Sequence, residues 1–330
     1  FICMAAKKIG VKTVVYSNEE DFSAKAFCDR YIIGKLDNIK KINEFIDSAD
    51  FFTIETENIP KEFLRKIQKK KKLFPSNEVV EIAQNRLREK QFLNNIKGIK
   101  TAPYFSINNF NELQNKAKEF KYDCILKTQE FGYDGKGQYF KKDSNLNKLK
   151  TLNLKNFILE KKIDFELELS VIIIGNLKKT IYYPPVENLH EESILRQTIY
   201  PARINEKLSN AAISMALTIS KELRLEGVLA VEMFVTKDQE ILINELAPRP
   251  HNSGHWTMDS SNFSQFDNLV NMIIKDELKI PEAFRNCKMI NIIGNDYQKF
   301  KEIEKTFVSY DYFKKDIRPN RKMGHYIDFG

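Results

Sequence analysis

Two glutamates in a predicted β-hairpin are the first residues of this sequence that could do chemistry. Apolar runs at residues 227–235 and 240–247 predict two strands, joined by a short turn at Asp238 and Gln239. With a two-residue turn, Glu232 and Glu245 become cross-strand partners whose Cβ atoms lie roughly 4.5 to 5.5 Å apart. Like charges at that separation repel each other unless something neutralises them.

The surroundings of these two glutamates make the repulsion between their charges more costly. Their neighbours on the same strand face are apolar, namely Ala230, Phe234, Ile243 and Ala247. Because bare charges are costly there, we expect a divalent cation between the carboxylates. Oxygen ligands, with no histidine or cysteine expected nearby, favour Mg²⁺ held together with nucleotide phosphates. The alternatives are solvated carboxylates on a sheet edge, or a loop of odd length that breaks the register.

A glycine-rich segment, GYDGKGQ at residues 132–138, lies between two other predicted strands. Its glycines allow backbone amides to approach an anion, and Lys136 adds a positive charge. A Rossmann or Walker loop would continue into a helix, and the sequence predicts none here. The segment is therefore either a phosphate-binding loop or an ordinary hairpin turn.

A polar loop follows the second glutamate strand, within NELAPRPHNSGHW at residues 244–256. Two prolines restrict the chain, and five polar or cationic residues crowd the loop: Arg249, His251, Asn252, Ser253 and His255. Such a cluster after a buried strand is typical of an anion or substrate site. For any one histidine taken alone, a structural or solvated role is the alternative.

The elements that position these residues fall into three regions. Helices and strands alternate over residues 1–76, which predicts a parallel α/β domain. Residues 77–275 begin with helices and continue with strands, which predicts an α+β domain, and residues 276–330 form a small third region. The pattern opens with a helix whose preceding strand is absent, so we expect a chain truncated at its start and also at its end.

Composition narrows the class of protein. The chain has 330 residues, 42% of them hydrophobic and 30% charged, as in soluble globular proteins, and no apolar stretch approaches the roughly 18 residues of a membrane helix. Its four cysteines are scattered without CxxC spacing, which excludes a disulfide framework and favours a cytoplasmic location. The net charge of +8 is interpreted as a lysine-rich composition bias with solvated faces, so we expect no nucleic-acid partner and no membrane partner.

Together these segments resemble the ATP-grasp superfamily, and closely its 5-(carboxyamino)imidazole ribonucleotide synthase branch. The resemblance covers nearly the whole chain and depends on seven motifs: ETEN at residues 55–58, the helix at residues 86–90, KTQEFGYDGKGQ from Lys127, ENLHEESILR from Glu187, INELAPRPHNSGHW from Ile243, SQF from Ser264 and RPNRKMGH from Arg318. It implies an ATP-grasp fold with a truncated pre-ATP-grasp α/β domain at residues 1–76, an ATP-grasp domain at 77–275 and a small, truncated C-terminal domain at 276–330.

The activity implied by the resemblance is that of an ATP-dependent carbon–nitrogen ligase of de novo purine biosynthesis, acting as a cytoplasmic homodimer with Mg²⁺. Bicarbonate would attack the γ-phosphate of ATP to give carboxyphosphate, whose carboxyl group passes to the exocyclic amine of aminoimidazole ribonucleotide. This chemistry needs positioning and charge neutralisation rather than a protein nucleophile. The alternatives are a formate-dependent glycinamide ribonucleotide transformylase, a biotin carboxylase or a non-catalytic nucleotide-binding protein. The HNSGHW block argues against the first two, and the paired glutamates against the third.

The resemblance also implies roles for residues at matching positions. Glu232 and Glu245 would hold Mg²⁺, residues 132–138 would close as a lid, and residues 160–163 would form the adenine-binding hinge. Catalysis would involve Lys136, Arg249 and His251. The nucleotide would be bound by Arg86, Lys127, Gly132, Tyr133, Asp134, Gly135, Lys136, Gly137, Gln138, Glu160, Lys161, Lys162, Ile163, Glu168, His190, Asn244 and Glu245. Aminoimidazole ribonucleotide would contact Tyr133, Asp134, Lys136, Arg249, His251, Asn252 and Ser253, with Lys315 and Arg321 on its phosphate.

Two positions before the glycine-rich segment depart from the family pattern. Gln129 and Phe131 stand where the family usually has an arginine and a further glycine. We therefore expect lid movement or a phosphate contact to differ from the family pattern.

Overall fold

The structure, a computed structural model, describes the chain except residues 131, 133–136, 141–145, 147, 148 and 152. Its first region alternates helices with short parallel strands, as predicted: α1 (Ile2–Lys8), β1 (Val14–Ser17), β2 (Arg30–Ile33), α2 (Ile39–Asp47), β3 (Phe51–Thr53), α3 (Lys61–Gln68), β4 (Lys72–Phe74) and α4 (Asn77–Ala83). Strand β1 pairs with β2 and β3 pairs with β4, both in parallel. The apolar faces of α2 and α3 share one core with β3, through Ile42, Leu64 and Phe52.

The second region contains a small antiparallel sheet that frames the glycine-rich segment. Its elements are α5 (Arg86–Asn94), β5 (Tyr104–Ile107), α6 (Phe110–Glu119), β6 (Cys124–Thr128), β7 (Gln138–Phe140) and β8 (Phe157–Lys161). Four strands pair in the order β5-β8-β6-β7, and α6 packs on them through Leu113 and Ala117. Because β6 and β7 are antiparallel neighbours, the segment between them is a hairpin connection rather than a strand-to-helix loop.

A larger sheet occupies the rest of the chain. Its strands are β9 (Phe165–Gly175), β10 (Thr180–Tyr182), β11 (Val186–Glu191), β12 (Ile194–Tyr200), β13 (Gly227–Thr236), β14 (Ile241–Ala247), β15 (Cys287–Ile293), β16 (Val308–Asp311) and β17 (Lys322–Asp328). The helices of this part of the chain are α7 (Glu206–Glu222), α8 (Thr257–Ser260), α9 (Gln265–Lys275) and α10 (Phe300–Thr306). Within the described residues the strands run β14-β13-β9-β11-β12-β15-β17-β16, with β10 at the side of β9. The C-terminal strands thus extend the same sheet by backbone hydrogen bonds.

The hairpin of β11 and β12 was not predicted, because its turn lacks the usual residues. Glu192 and Ser193 form the two-residue connection with positive φ angles of 50° and 65°. Such turns favour Asn-Gly, whose residues adopt these angles at low cost. The sequence therefore carried no turn signal at this point.

The two faces of the large sheet bury different helices. Alternate residues of β13 point to α7 on one side, where Val231 and Met233 meet Ala212 and Ala216. The other side of β13, with Val228 and Ala230, packs against α9 and Trp256. Helix α9 begins with a capping box in which Ser264 and Asp267 bond reciprocally to backbone amides. None of the helices among the described residues has the length and apolar composition of a membrane-crossing helix.

Replacing Leu229 by alanine is expected to lower the free energy of unfolding by about 3 kcal/mol, the usual loss for a Leu→Ala change in a packed core. Leu229 is fully buried in β13 beneath α7. Urea denaturation, followed by the fluorescence of the single tryptophan, Trp256, measures the change. Leu177→Ala is the control, since that side chain is 74% exposed, and should cost less than about 0.5 kcal/mol. Equal losses in both variants would contradict this core assignment.

Candidate active site

The two glutamates of the β13–β14 hairpin are cross-strand partners, as predicted, but the predicted two-residue turn is wrong. Thr236 N–H donates to Glu240 O at 2.9 Å, which leaves a three-residue loop that ends at Gln239 with φ 60°. A β-bulge between Glu232 and Met233 then shifts the register by one residue and restores the pairing of Glu232 with Glu245. The extra residue of the bulge is Asn244.

The bulge also changes which residues flank the carboxylates. Ile243 pairs with Met233 and is buried in the core beneath α7, so its predicted place beside the glutamates is wrong. Asn244 and Glu245 both line the cavity instead, although neighbouring residues of a regular strand point to opposite faces. The bulge thus brings an amide and a carboxylate to the same side of the sheet.

The two carboxylates have opposite electrostatic environments. Glu232 is buried, and its Oε1 lies 2.9 Å from Nε2 of His251. Burial alone would raise the pKa of Glu232, but its contact with Nε2 of His251 outweighs burial and lowers that pKa. The Glu245 carboxyl faces the cavity, where desolvation and the nearby Glu232 charge raise its pKa. The pair therefore favours a cation beside Glu245.

Histidines do lie near this pair, contrary to the sequence interpretation, because His251 and His190 reach it from other segments. Among the residues that the structure describes, no three His, Cys, Asp or Glu side chains converge as a complete protein metal site. One or two carboxylates that share a cation with phosphate oxygens are the usual arrangement for Mg²⁺. The Glu232–Glu245 pair fits that donor set.

A cavity of about 1670 Å³ runs from these carboxylates past the small sheet to the first region. It brings together sixteen of the residues predicted for the site: Arg86, Lys127, Gly132, Gln138, Glu160, Lys161, Lys162, Ile163, Glu168, His190, Glu232, Asn244, Glu245, Arg249, His251 and Asn252. Tyr133, Asp134, Gly135 and Lys136 lie outside the described residues.

One wall of the cavity carries a buried carboxylate between two lysines. Lys127 Nζ lies 2.9 Å from Glu160 Oε2, and Lys90 Nζ lies 3.6 Å from Glu160 Oε1. Although burial would raise the pKa of Glu160, the two lysines lower it to about 2. Lys90 was missed as an individual site residue, even though its helix belongs to a quoted motif. The wall therefore has a net positive charge facing the glutamate pair.

The start of the glycine-rich segment is held by Arg86. Its guanidinium donates to Thr128 O and to Gly132 O, each at 2.8 Å. At the other end Gly137 has φ 73°, and a Cβ there would lie 2.6 Å from Thr128 Oγ1, so a side chain does not fit. Gln129 points away from the cavity and donates to Phe157 O at 3.1 Å. Arg86 thus contacts the base of the predicted lid.

A second acid–histidine pair lies on the same sheet face. Glu168 Oε2 is 2.9 Å from His190 Nδ1, an ion-pair distance without hydrogen-bond geometry. Burial lowers the pKa of His190, but Glu168, helped by Glu232 and Glu245, outweighs burial and raises it. Glu168 therefore favours the protonated form of His190 at this end of the cavity.

The polar loop after β14 is tied to the first region by an ion pair. Arg249 binds the Glu57 carboxylate through Nε and through Nη2, the latter at 3.1 Å from Oε1. Glu57 belongs to the ETEN motif, but its partner is 192 residues away, and no local pattern links the two. This pair orients the guanidinium at the edge of the cavity.

Other residues predicted to bind the substrate occupy different places. Ser253 is fully buried behind His251 and bonds to its ring. Arg321 pairs with Asp21 at 3.2 Å, and the backbone amide of Lys315 donates to the same carboxylate, while the Lys315 side chain is exposed. Neither Lys315 nor Arg321 lines the cavity, whereas Lys314 does.

Three domain families match successive parts of the chain. A ribonucleotide synthetase preATP-grasp domain matches residues 1–84, an ATP-grasp domain matches residues 91–266, and a phosphoribosylaminoimidazole carboxylase C-terminal domain matches residues 287–327. These matches confirm the predicted fold class. The boundaries proposed from the sequence, at residues 76 and 275, stay predictions.

Whole-chain relatives and solved structures agree with the domain matches. The chain is 34% identical to the N5-carboxyaminoimidazole ribonucleotide synthase of Bacillus subtilis (strain 168), over 98% of this chain and 87% of that protein. It is 36% identical to the enzyme of the same name from Aquifex aeolicus (strain VF5), with the same coverage. N5-carboxyaminoimidazole synthetase from Staphylococcus aureus complexed with ADP has a TM-score of 0.93 and 29% identity, over 100% of this chain and 89% of that one.

A further solved structure includes a second ligand. N5-carboxyaminoimidazole synthase from Aspergillus clavatus, in complex with ADP and 5-aminoimidazole ribonucleotide, has a TM-score of 0.89 and 26% identity, over 100% of this chain and 90% of that one.

Replacing Glu57 by glutamine is expected to lower the free energy of unfolding by about 2 kcal/mol at neutral pH, because Arg249 loses its counter-charge. This loss is smaller than the roughly 3 to 5 kcal/mol lost when a fully buried ion pair is broken, because the Glu57 side chain is 19% exposed. Burial alone would raise the pKa of Glu57, but Arg249 outweighs burial and lowers it. The stabilisation is therefore present above the unfolded pKa of about 4.3 and is lost as pH falls through the lower folded-state pKa.

Urea denaturation of the wild type and the Glu57→Gln variant at a series of pH values tests this expectation. The difference between them should shrink below about pH 4. Glu62→Gln is the matched control, because Glu62 is exposed and lies 3.7 Å from Arg65, and it should change stability by less than about 0.5 kcal/mol. A difference that stays constant down to low pH would contradict the ion-pair explanation.

Proposed function

This chain belongs to the N5-carboxyaminoimidazole ribonucleotide synthase family of ATP-grasp ligases, and we propose how its cavity performs the ATP-dependent carboxylation of 5-aminoimidazole ribonucleotide. The observation that carries the proposal is the pairing of Glu232 with Glu245 at the junction of a cationic wall and the Arg249–His251 loop. Transfer of a phosphoryl group to bicarbonate needs this combination of anionic metal ligands and cationic phosphate ligands.

The nucleotide lies, in this proposal, between the small and large sheets. Residues 160–163, which form the end of β8 and the two residues after it, line the cavity and receive the adenine, with Glu168 on the ribose. Lys127 exchanges its contact with Glu160 for phosphate oxygens, and Lys90 continues to neutralise that carboxylate. Arg86 holds the chain just before the glycine-rich segment and at its first residue, and adds positive charge to the phosphate site. The ADP named for the S. aureus relative supports a nucleotide at this place.

The metal position follows from the carboxylates. Glu232 and Glu245 hold Mg²⁺, and the Asn244 amide, brought to the same side by the bulge, adds a polar contact to the phosphates. When bound, Mg²⁺ neutralises charge on the transferring phosphoryl group. The chain's own part is to keep Glu232 ionised through His251 and to leave Glu245 directed into the cavity.

The substrate end is formed by the loop after β14. Arg249, oriented by Glu57, presents a cation to the anionic carboxyl donor, and His251 lies beside it on Glu232. Asn252 contributes an amide at the same edge. Ser253 supports His251 from behind, and the binding of the substrate phosphate by Lys315 and Arg321 stays a prediction from the resemblance. The complex of the A. clavatus relative with 5-aminoimidazole ribonucleotide supports this substrate class. The cytoplasmic homodimer is also part of the proposal.

Phosphate release from ATP is expected to reach its full rate only when Mg²⁺, bicarbonate and 5-aminoimidazole ribonucleotide are all present. The reason is that the charges of the cavity favour transfer to a bound acceptor over transfer to water. A coupled phosphate assay with each component omitted in turn measures this dependence. Glycinamide ribonucleotide with formate, and free biotin, serve as controls for other ATP-grasp ligases. Stimulation by either control, and not by aminoimidazole ribonucleotide, would contradict the proposal.

Glu245→Ala is expected to reduce turnover by on the order of 100-fold or more, because it removes one of two metal ligands. The melting temperature should stay unchanged or rise, since the variant also removes the repulsion between Glu245 and Glu232. Glu240→Ala is the matched control on the same hairpin, where an exposed Glu240 pairs with Lys100 at 2.5 Å, and it should keep wild-type turnover. Near-normal turnover of Glu245→Ala would refute the metal assignment.

A further inference from the structure

A chain of buried polar side chains runs across the large sheet behind the active site. Thr198 Oγ1 donates to Asn188 Oδ1 at 3.0 Å, and Asn188 Nδ2 donates to Ser170 Oγ at 2.9 Å. Ser170 Oγ lies 2.7 Å from Ser253 Oγ, which lies 2.8 Å from Nδ1 of His251. Nε2 of the same ring faces Glu232 Oε1 at 2.9 Å.

The strand register explains why these residues meet. Ser170 on β9 is the cross-strand partner of Glu232 on β13, and Asn188 on β11 is the partner of Thr198 on β12. Each therefore points to the face that carries the active site, in one row across the sheet. Their exposures of 0% for Ser170 and Thr198 and 3% for Asn188 keep bulk solvent away from their polar atoms. Buried polar groups at such positions are costly unless every hydrogen bond is made.

The direction of the hydrogen bonds along this chain is set by the amide of Asn188. Its nitrogen can only donate, so Ser170 Oγ accepts that bond and has its own proton available for Ser253. If Ser170 donates to Ser253, the hydroxyl proton of Ser253 is available for Nδ1 of His251, 2.8 Å away. The backbone N–H of Ser253, which can only donate, also points to Nδ1 at 3.4 Å. Both donors would then converge on Nδ1, and this arrangement favours the neutral ring with its proton on Nε2.

We propose that Asn188 and Ser170 are positioning residues, which act through Ser253 to hold His251 as the tautomer protonated on Nε2 and so aim that N–H at Glu232. In this tautomer the ring donates to Glu232 and fixes one carboxylate oxygen, so the other stays free for the metal. In the opposite tautomer the lone pair of Nε2 would face the carboxylate and repel it. The expected effect on turnover rests on the proposed function of His251 and Glu232. The tautomer of His251 does not depend on that function.

The first experiment reads the tautomer in the wild-type protein. The sequence has only four histidines, so two-bond ¹⁵N–¹H correlation spectra of the ring nitrogens can be assigned by comparison with a His251→Asn variant. We expect a protonated Nε2 and an unprotonated Nδ1 for His251. A His251 ring protonated on Nδ1 would overturn the proposal, whether or not the protein carboxylates its substrate.

The second experiment uses one isosteric change, Asn188→Asp, to reverse the direction of the hydrogen bonds between these buried side chains. A carboxylate only accepts, so Ser170 would donate to the new carboxylate, Ser253 would donate to Ser170, and Nδ1–H of His251 would donate to Ser253. Because burial raises the pKa of a carboxyl group, the spectra are recorded at the highest pH at which the variant stays folded. We expect the ring proton to move to Nδ1, kcat to fall about 10- to 100-fold, and the KM for ATP to change by less than about twofold.

The matched control is Asn268→Asp, at a buried asparagine outside this chain. Asn268 also donates to one hydroxyl, that of Tyr183 at 2.9 Å, and accepts one bond, from Lys279 N at 2.9 Å. It should therefore have a similar cost in stability, with the His251 spectrum and kcat unchanged. Equal losses of kcat in the two variants, or an unchanged tautomer in Asn188→Asp, would overturn the proposal. If Asn188→Asp does not fold, the wild-type spectrum still decides the tautomer.

Discussion

The repulsion between two carboxylates on neighbouring strands is the constraint around which the rest of this cavity is arranged. Glu232 and Glu245 are opposed across the β13–β14 ladder, where like charges are unfavourable. The protein relieves only half of the conflict, because His251 compensates Glu232 while Glu245 keeps a raised pKa. A cation beside Glu245 would relieve the repulsion that the protein leaves uncompensated.

Other buried charges around the cavity are matched by protein partners. Glu160 contacts Lys127 and Lys90, and Glu57 contacts Arg249. In each pair, the carboxylate holds a lysine or arginine side chain at the edge of the cavity. The carboxylate also compensates the positive charge of that side chain when no substrate is bound. An anionic ligand can then replace the internal carboxylate as the partner of a lysine or arginine at a smaller desolvation cost than it would meet at an unpaired site. In the proposed function, these carboxylates occupy the places that phosphate and carboxyl oxygens would take.

Some parts of this site could be predicted from the sequence, and others could not, for physical reasons. The pairing of Glu232 with Glu245 follows from the two-residue period of strands, although the three-residue loop and the bulge at Asn244 were both missed and their effects on the register cancel. The motifs identified the cavity residues because they are contiguous along the chain. Contacts between distant segments, such as Arg249 with Glu57, had no local signal, since they depend on how the domains pack.

The large sheet explains how those distant segments are held in register. The β9, β11 and β12 strands carry the polar row behind His251, and β15 continues the same ladder towards the C-terminus. Asn252, in the loop after β14, donates to Asn291 on β15 at 3.1 Å, so the substrate loop is fastened at both ends of one sheet. Because a hydrogen-bonded sheet resists shear between its strands, the spacing between the metal ligands and the substrate loop is set by backbone geometry. The small sheet, which carries Lys127 and the glycine-rich segment, pairs its strands in a separate ladder. Lys127 therefore lies on a different hydrogen-bonded ladder from Glu232 and Glu245.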